Sequence, residues 1–406
     1  MSSKRSKSPF LSPLNTFLSC PGFQPMARYE KAHCIEDFRR IAQSSLPKMV
    51  FDFIDGGSGM EATLRENRAA LDRVKLVASA PVNVATRDQS VTLFGQTYAM
   101  PLIIGPTGLV SVAWPQGELV LARAAGKAGI PYVMSTAASA TMEDVARAGD
   151  GRKWFQLYAF RDREISKAMV RKAASLDFEV IEIAVDNPIP GTRLRDSRNG
   201  FSIPFKWTPG KLWNVATRPG WLWRMMRNGA PKMELLSEAF GLQEAPTIAA
   251  VLQKQLDPGV DWDYIRELRD LWPRAFVVKG MLDPSHVEAA VASGVDGVVI
   301  SNHGGRQLDG AASSIEMLPE FVAAAAGRLT MLIDSGFRTG TDIVKALALG
   351  AHSVQVGRPT LFAAASGGQP AVERALAVLR NEIDIAQALL GAAAISDLNP
   401  SHVRFR

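Results

Sequence analysis

A chain of 406 residues, 47% hydrophobic and 21% charged, has globular composition and ample length for a large core, which excludes an intrinsically disordered protein. Its net charge of +6 is a mild, dispersed excess, and without a nucleic-acid-binding motif it gives no reason to expect a nucleic-acid partner. Two cysteines, Cys20 and Cys34, are too few for a disulfide framework or a zinc site, and no apolar run reaches the roughly 18 residues of a spanning helix. No metal is therefore expected, and the expected compartment is the reducing cytoplasm.

In chain order, residues 1–30 read as a disordered tail. The basic start Lys4-Arg5-Ser6-Lys7 resembles that of a signal peptide, but Pro9, Pro13 and Pro21 break the apolar stretch such a peptide needs. Residues 31–100 read as a helical and hairpin extension. Ile35 to Phe53 has helical character, with Leu46-Pro47 as an interruption or a helix start. Val91-Thr92-Leu93-Phe94 followed by Gly95-Gln96 reads as a small hairpin, of a size to plug the bottom of a barrel.

From 101 to 395 the chain alternates strands and helices. The strands are expected at Pro101–Thr107, Tyr132–Thr136, Trp154–Phe160, Val180–Asp186, Phe276–Gly280, Gly297–Asn302, Thr330–Asp334 and Ser353–Gly357. Most carry apolar residues consecutively, as strands covered on both faces require. Helices are expected at Gly117–Ala128, Met142–Ala148, Arg163–Ser175, Ser285–Ser293, Met317–Ala326, Gly340–Leu349 and Val372–Leu390. Eightfold strand–helix alternation predicts an α/β fold, a (β/α)8 TIM barrel with an N-terminal helical segment and a long insertion after strand four, at 188–250. Within that stretch, residues 206–232 contain six basic residues, no acidic one, and Trp207, Trp213, Trp221 and Trp223, half of the chain's tryptophans. That composition suits either an anionic membrane interface or a packing insertion over the barrel.

Active sites of such barrels lie at the C-terminal ends of the strands. There the sequence places Gly105-Pro106-Thr107-Gly108, Ser135, Gln156 with Tyr158, Asp186 with Arg193, Lys279-Gly280, His303 with Arg306, Asp334 to Arg338, and Gly357-Arg358. The stretch Ser301-Asn302-His303-Gly304-Gly305-Arg306-Gln307-Leu308-Asp309 is the most informative: one loop offers a general base and a cation for an anionic substrate. Gly336 with Arg338, and Gly357 with Arg358, sit after strands seven and eight, where barrels of this kind bind phosphate. A phosphate-bearing cofactor is expected.

With these motifs, and with Leu46-Pro47-Lys48-Met49-Val50, Trp154-Phe155-Gln156-Leu157-Tyr158, Val278-Lys279-Gly280 and Ile333-Asp334-Ser335-Gly336-Phe337-Arg338, the chain resembles the FMN-dependent α-hydroxy acid dehydrogenases and oxidases. That family includes glycolate oxidase, L-lactate dehydrogenase and mandelate dehydrogenase. The resemblance covers roughly residues 35–395. The Leu271-Trp272-Pro273 and Pro106-Thr107-Gly108 forms look closest to the mandelate branch.

The resemblance implies FMN as cofactor and oxidation of an (S)-2-hydroxy acid to a 2-oxo acid. It implies His303 as the base, Asp186 as its partner, and Lys279 beside the flavin. Arg193, Arg306, Tyr158 and the Phe53 position would face the substrate. Pro106, Thr107, Gly108, Ser135 and Gln156 would contact the flavin, with Asp334, Gly336, Arg338, Gly357 and Arg358 completing the cofactor site toward the phosphate. A homotetramer, a quinone or oxygen as electron acceptor, and a cytoplasmic location with peripheral contact to the inner face of the cell membrane through 206–232 complete the expectation.

Three departures bear on the substrate. Phe53 stands where the family carries a substrate-binding tyrosine, Ala184 where it carries threonine, and Ala137 where the small-substrate oxidases carry tryptophan. The last enlarges the pocket and predicts a bulky or aromatic substrate. The first two also motivate an alternative, an FMN oxidase acting on a natural-product or peptide-linked substrate.

Overall fold

The computed structural model describes residues 28–405 apart from 204, 230 and 242–253. The expected tail thus lies outside the described residues up to residue 27, as does part of the insertion; Arg28–Lys31 forms a single 3-10 turn.

Twelve strands are present among the described residues. β1 (Val74–Leu76) precedes a hairpin of β2 (Val91–Leu93) and β3 (Gln96–Tyr98). Eight parallel strands follow: β4 (Leu102–Ile104), β5 (Tyr132–Ser135), β6 (Lys153–Tyr158), β7 (Val180–Ala184), β8 (Ala275–Met281), β9 (Gly297–Ile300), β10 (Thr330–Ile333) and β11 (Ser353–Val356). They close into a barrel in chain order, β11 pairing with β4. β12 (Val403–Phe405) returns to pair antiparallel with β1, so the chain's last residues lie against the extension that precedes the barrel.

Side-chain alternation explains the double burial. Ile103, Val133, Trp154, Val180, Val277, Val299 and Leu332 point inward and form one cluster with Leu93 and Tyr98 of the hairpin. Phe94, at the hairpin turn, meets Trp154 edge-on at 5.7 Å, so the hairpin does close the barrel bottom. Intervening residues such as Ile104, Phe155, Ile181, Val278 and Ile300 point outward into the larger core shared with the helices.

The Leu46-Pro47 pair acts as a helix boundary. One helix spans Ile35–Ser45 and a second Lys48–Asp55, with Pro47 at its N-cap. Arg39 clamps the buried Asp55 carboxylate at 2.7 and 2.8 Å, and Arg195 reaches it from the insertion at 3.1 Å. Burial pushes the Asp55 pKa up, but these cations outweigh it and hold the group ionised. The second helix is thereby fixed with Phe53 facing the barrel mouth.

Three elements depart from expectation. A helix at Ala62–Arg73 has no N-cap side chain of its own; Asp309, far along the chain, accepts from the N–H groups of Met60 and Thr63 at 2.7 and 3.0 Å instead. The helix expected from Val372 belongs to a longer segment, Arg358–Leu390, broken at Gly367 and Gly368. The helix Trp262–Leu271 fills the slot between β7 and β8.

The insertion folds as short helices, among them Pro209–Ala216 and Pro219–Asn228. Trp221 is 1% exposed and its indole N–H donates to the Val112 carbonyl at 2.8 Å, tying the segment to the barrel. Trp213, Trp223 and Met226 are 74%, 64% and 72% exposed. Trp221 thus realises the packing reading, while Trp213 and Trp223 stand in solvent. No helix among the described residues is long and apolar enough to cross a membrane.

Candidate active site

At the C-terminal mouth of the barrel lies a cleft of about 200 Å³. Every site residue expected from the sequence lines it except Asp186, which sits behind His303. The cleft also takes in residues that pattern reasoning did not single out: Ile54, Leu109, Met233, Gln355 and Leu361 among them. Gln355 had a usable signal, a lone polar residue within the apolar strand Ser353-Val354-Gln355-Val356. Met233 had none, because nothing local in the sequence shows that the insertion folds back over the mouth.

The loop after β9 is built from left-handed backbone. His303, Gly304 and Gly305 have φ of +59°, +65° and +70°. A Cβ on Gly305 would lie 2.8 Å from the Leu64 backbone nitrogen, which accounts for glycine there. Polar contacts hold the strained histidine. Its N–H donates to Ser301 Oγ at 2.9 Å, and Ser335 Oγ accepts from Gly304 N at 3.0 Å. Asn302 exchanges two hydrogen bonds with Asn67, at 2.9 and 2.6 Å. Gln307 donates to the Asp186 carbonyl at 3.0 Å and accepts from Gly191 N at 2.9 Å, joining this loop to the one after β7.

His303 Nδ1 lies 3.1 and 3.2 Å from the two Asp186 oxygens. Because carboxylate oxygens only accept, Nδ1 carries the proton, and Nε2 is left as the basic nitrogen of a ring that lines the cleft. Space for the carboxylate comes from Gly280, where β8 bulges: a Cβ there would fall 2.4 Å from Asp186 Cγ, at a φ of +99°. Gly280→Ala is expected to destabilise the fold by about 1–3 kcal/mol and to displace Asp186, slowing turnover. Thermal melting and the steady-state rate check both, and a fully active, stable variant would show that the carboxylate needs no such room.

Lys279 is buried, its ammonium donating to Ser301 Oγ at 3.0 Å and to Asp334. Burial alone lowers its pKa, but Asp334 and Asp186 outweigh it and raise the value, so a fixed cation stands at the cleft wall.

In the same cleft, Arg306 and Arg193 place guanidinium carbons 5.1 and 6.0 Å from the centroid of the Phe53 ring, which stacks on Phe201 at 4.4 Å. Arg306 donates to the Phe53 and Gly56 carbonyls at 2.8 and 2.9 Å. Burial, then the Arg193 and Arg358 cations, press its pKa well below the usual range. An arginine does not give up its proton under such pressure; the cost is relieved by an anion.

Farther along the cleft, burial and then Arg358 and Arg68 push Arg338 down to about 9, and burial pushes Arg358 down to about 10. Among the described residues the Arg338 side chain donates to its own neighbour's carbonyl alone, Phe337 O, at 2.9 Å. Arg358 is more committed than the sequence suggested: it donates to the carbonyls of Ile54, Gly304 and Gly56 at 3.0, 2.8 and 2.8 Å, bracing the histidine loop against the helix Lys48–Asp55.

The residues fit FMN. Arg338 lacks an anionic partner among the described residues, and Gly336 and Gly357 open backbone beside it. Gln156 Nε2 and Thr107 Oγ1 are buried without a hydrogen-bond partner, as groups facing a polar ring would be. Ser135 Oγ donates to Gln156 Oε1 at 3.1 Å and so fixes which end of that amide stays free. Gly108 packs so closely on Ala137 that an added Cβ would come within 2.7 Å of its methyl, and both line the cleft.

Comparison with known proteins agrees with this geometry. The sequence profile described as FMN-dependent dehydrogenase matches residues 42–405. (S)-Mandelate dehydrogenase of Pseudomonas putida is 41% identical over 372 residues, covering 91% of this chain and 93% of that protein. L-Lactate dehydrogenase of Yersinia pestis (strain Pestoides F) is 38% identical over 366 residues, 89% of this chain and 96% of that protein. Among solved structures, a monotopic membrane protein, (S)-mandelate dehydrogenase, superposes with a TM-score of 0.88 at 39% identity, over 93% of this chain and 100% of that one. Mandelate oxidase with (S)-4-hydroxymandelic acid gives 0.81 at 35% identity, over 92% and 98%.

Proposed function

Because this chain belongs to the FMN-dependent dehydrogenase family, we propose that it oxidises a bulky, aromatic (S)-2-hydroxy acid to the corresponding 2-oxo acid. The observation that carries this reading is one cleft holding the His303–Asp186 pair, a buried lysine cation, and two guanidinium groups over an aromatic floor.

FMN supplies the two-electron acceptor. Pro106, Thr107, Gly108, Ser135, Gln156 and Lys279 would hold its ring, with Asp334 fixing Lys279, and Gly336, Arg338, Gly357 and Arg358 its phosphate end. Arg193 and Arg306 grip the substrate carboxylate, a group their planar forks match better than lysine would. Tyr158, whose pKa burial and then Asp186 raise, keeps its hydroxyl proton and donates toward the substrate. His303 Nε2 removes a proton from the bound acid, and Asp186 stabilises the imidazolium that results. Lys279 stabilises negative charge accumulating at the flavin side of the cleft. Ala137 and Gly108 would leave room for a ring in the cleft that Met233 also lines.

The test is anaerobic bleaching of the bound flavin across aliphatic and aromatic 2-hydroxy acids. Aromatic acids are expected to bleach it fastest; no bleaching by any free hydroxy acid would favour the natural-product or peptide-linked reading. Phe53→Tyr adds a hydroxyl beside both arginines. It is expected to lower KM for small hydroxy acids by about 10- to 100-fold, the worth of one charged hydrogen bond; an unchanged KM would mean that the cation–π floor already does that work.

The exposed Trp213, Trp223 and Met226, flanked by basic side chains, form a face suited to an anionic lipid surface. On this reading the enzyme sits peripherally on the membrane, its electrons pass to a quinone rather than to oxygen, and the homotetramer carries several such faces at once. Trp213→Ser with Trp223→Ser is expected to abolish sedimentation with anionic vesicles while leaving flavin reduction intact, since Trp221 still ties the segment down. Continued pelleting would place the contact elsewhere.

A further inference from the structure

Beneath the cleft the barrel interior holds a carboxyl group that the reaction above does not use. Glu182 follows the inward set of β7, two residues below the cleft-lining Ala184, and is fully buried. Its register neighbour on β6 is Gln156, and Gln355 reaches it from β11. Both glutamines line the cleft, so Glu182 lies directly under its floor. Barrel interiors are ordinarily filled by branched apolar side chains.

Besides Gln156 Nε2, which faces the cleft, two atoms here lack partners. Gln355 Nε2 donates to Glu182 Oε1, but Glu182 Oε2 and Gln355 Oε1 are both buried without a hydrogen bond. Both atoms are acceptors and cannot bond to each other. A proton taken up by the carboxyl group would let it donate to the amide oxygen, turning a single hydrogen bond into a paired acid–amide contact. The charged groups facing Glu182 are Lys279 on β8 and Asp334 at the end of β10; the glutamines on β6 and β11 are neutral. Lys279 is already engaged by Asp334 and Ser301. Burial, against the pull of Lys279 and Gln355, pushes the Glu182 pKa up to about 7.

We propose that Glu182 is a positioning residue for flavin reduction, taking up a proton when electrons enter the cleft above it and releasing it when they leave. The inference rests on the FMN reading. Oxidation of a hydroxy acid to a 2-oxo acid releases two electrons and two protons. Both electrons and one proton go to the flavin and the other proton to His303, so one negative charge is added above the floor. In a low-dielectric interior that charge raises the proton affinity of the nearest group lacking a full counter-ion. Glu182 then takes a proton from solvent and returns it to solvent on reoxidation. The electron affinity of the bound flavin is thereby tied to pH.

The experiment is potentiometry of the FMN-loaded enzyme, poised chemically with mediators, from acid to alkaline pH, for wild type and Glu182→Gln. Infrared difference spectra between the oxidised and reduced enzyme accompany it. In wild type the midpoint potential is expected to fall more steeply above neutral pH, where reduction brings an additional proton, and a protonated-carboxyl band is expected to appear on reduction. In the variant the added steepness and the band vanish, and its potential lies above that of wild type on the alkaline side. Identical pH dependence in the two proteins overturns the inference while leaving the FMN reading intact. A wild-type curve without the steeper region overturns it even if the variant does not fold. A chain that takes up no FMN overturns both.

Discussion

His303→Asn is expected to lower the rate of anaerobic flavin reduction by roughly 10²–10⁴-fold, with FMN still bound and KM for the hydroxy acid little changed. Asparagine is the informative replacement because the backbone at 303 is left-handed, with φ +59°, a conformation asparagine adopts more readily than alanine. The loop therefore survives, and with it the Ser301 and Ser335 contacts that brace it. What is lost is a nitrogen able to accept a proton while Asp186 holds the opposite side of the ring. Asp186→Asn should fall in the same direction, since an amide no longer selects the tautomer with its proton on Nδ1. Stopped-flow reduction under anaerobic conditions reads both variants, and near-normal reduction in His303→Asn would dismiss the histidine as base.

Much of this site is legible in the sequence because barrel geometry converts position into location. Once the eight apolar strands are recognised, whatever follows each of them must face the same mouth. His303, Lys279, Tyr158 and the arginines could thus be assembled without knowing a single distance. The parts that stayed hidden depend on contacts between residues far apart in the chain. Ala62–Arg73 lacks the local start signal of a helix, because its capping carboxylate is Asp309, supplied by the histidine loop. Arg358 reads as a phosphate ligand in a Gly-Arg pair, yet most of its reach goes to carbonyls of the N-terminal helix and the histidine loop. In the same way Gly280 reads as an ordinary strand end, and only the position of the Asp186 carboxylate shows why it carries no side chain. The nine-residue motif around His303 is better understood as a hub: Asn302, Gly305 and Asp309 all hold the helix Ala62–Arg73, and Gln307 holds the loop after β7, around one histidine.

Lys279→Met is expected to remove both reactivity and stability, for separable reasons. Lys279 is the counter-ion of the buried Asp334, and cutting one partner out of such a pair costs about 3–5 kcal/mol. The pH dependence identifies that cost. In the wild type, burial pushes the Asp334 pKa up but Lys279 outweighs it, so the folded value lies below the unfolded one. Its contribution is fully present above the unfolded carboxylate range and is lost as pH falls through the folded value. Without the lysine, burial is left uncompensated, the folded pKa rises, and the variant is most handicapped at neutral pH. The stability gap between the two proteins, measured by chemical denaturation, should therefore narrow as pH falls; a constant gap would place the cost in packing instead. Adding Asp334→Asn removes the unpaired charge and should recover most of the stability. It should not recover flavin reduction, because the cation that stabilises incoming electrons is still missing. A double variant that regains both would show that Lys279 serves the fold alone.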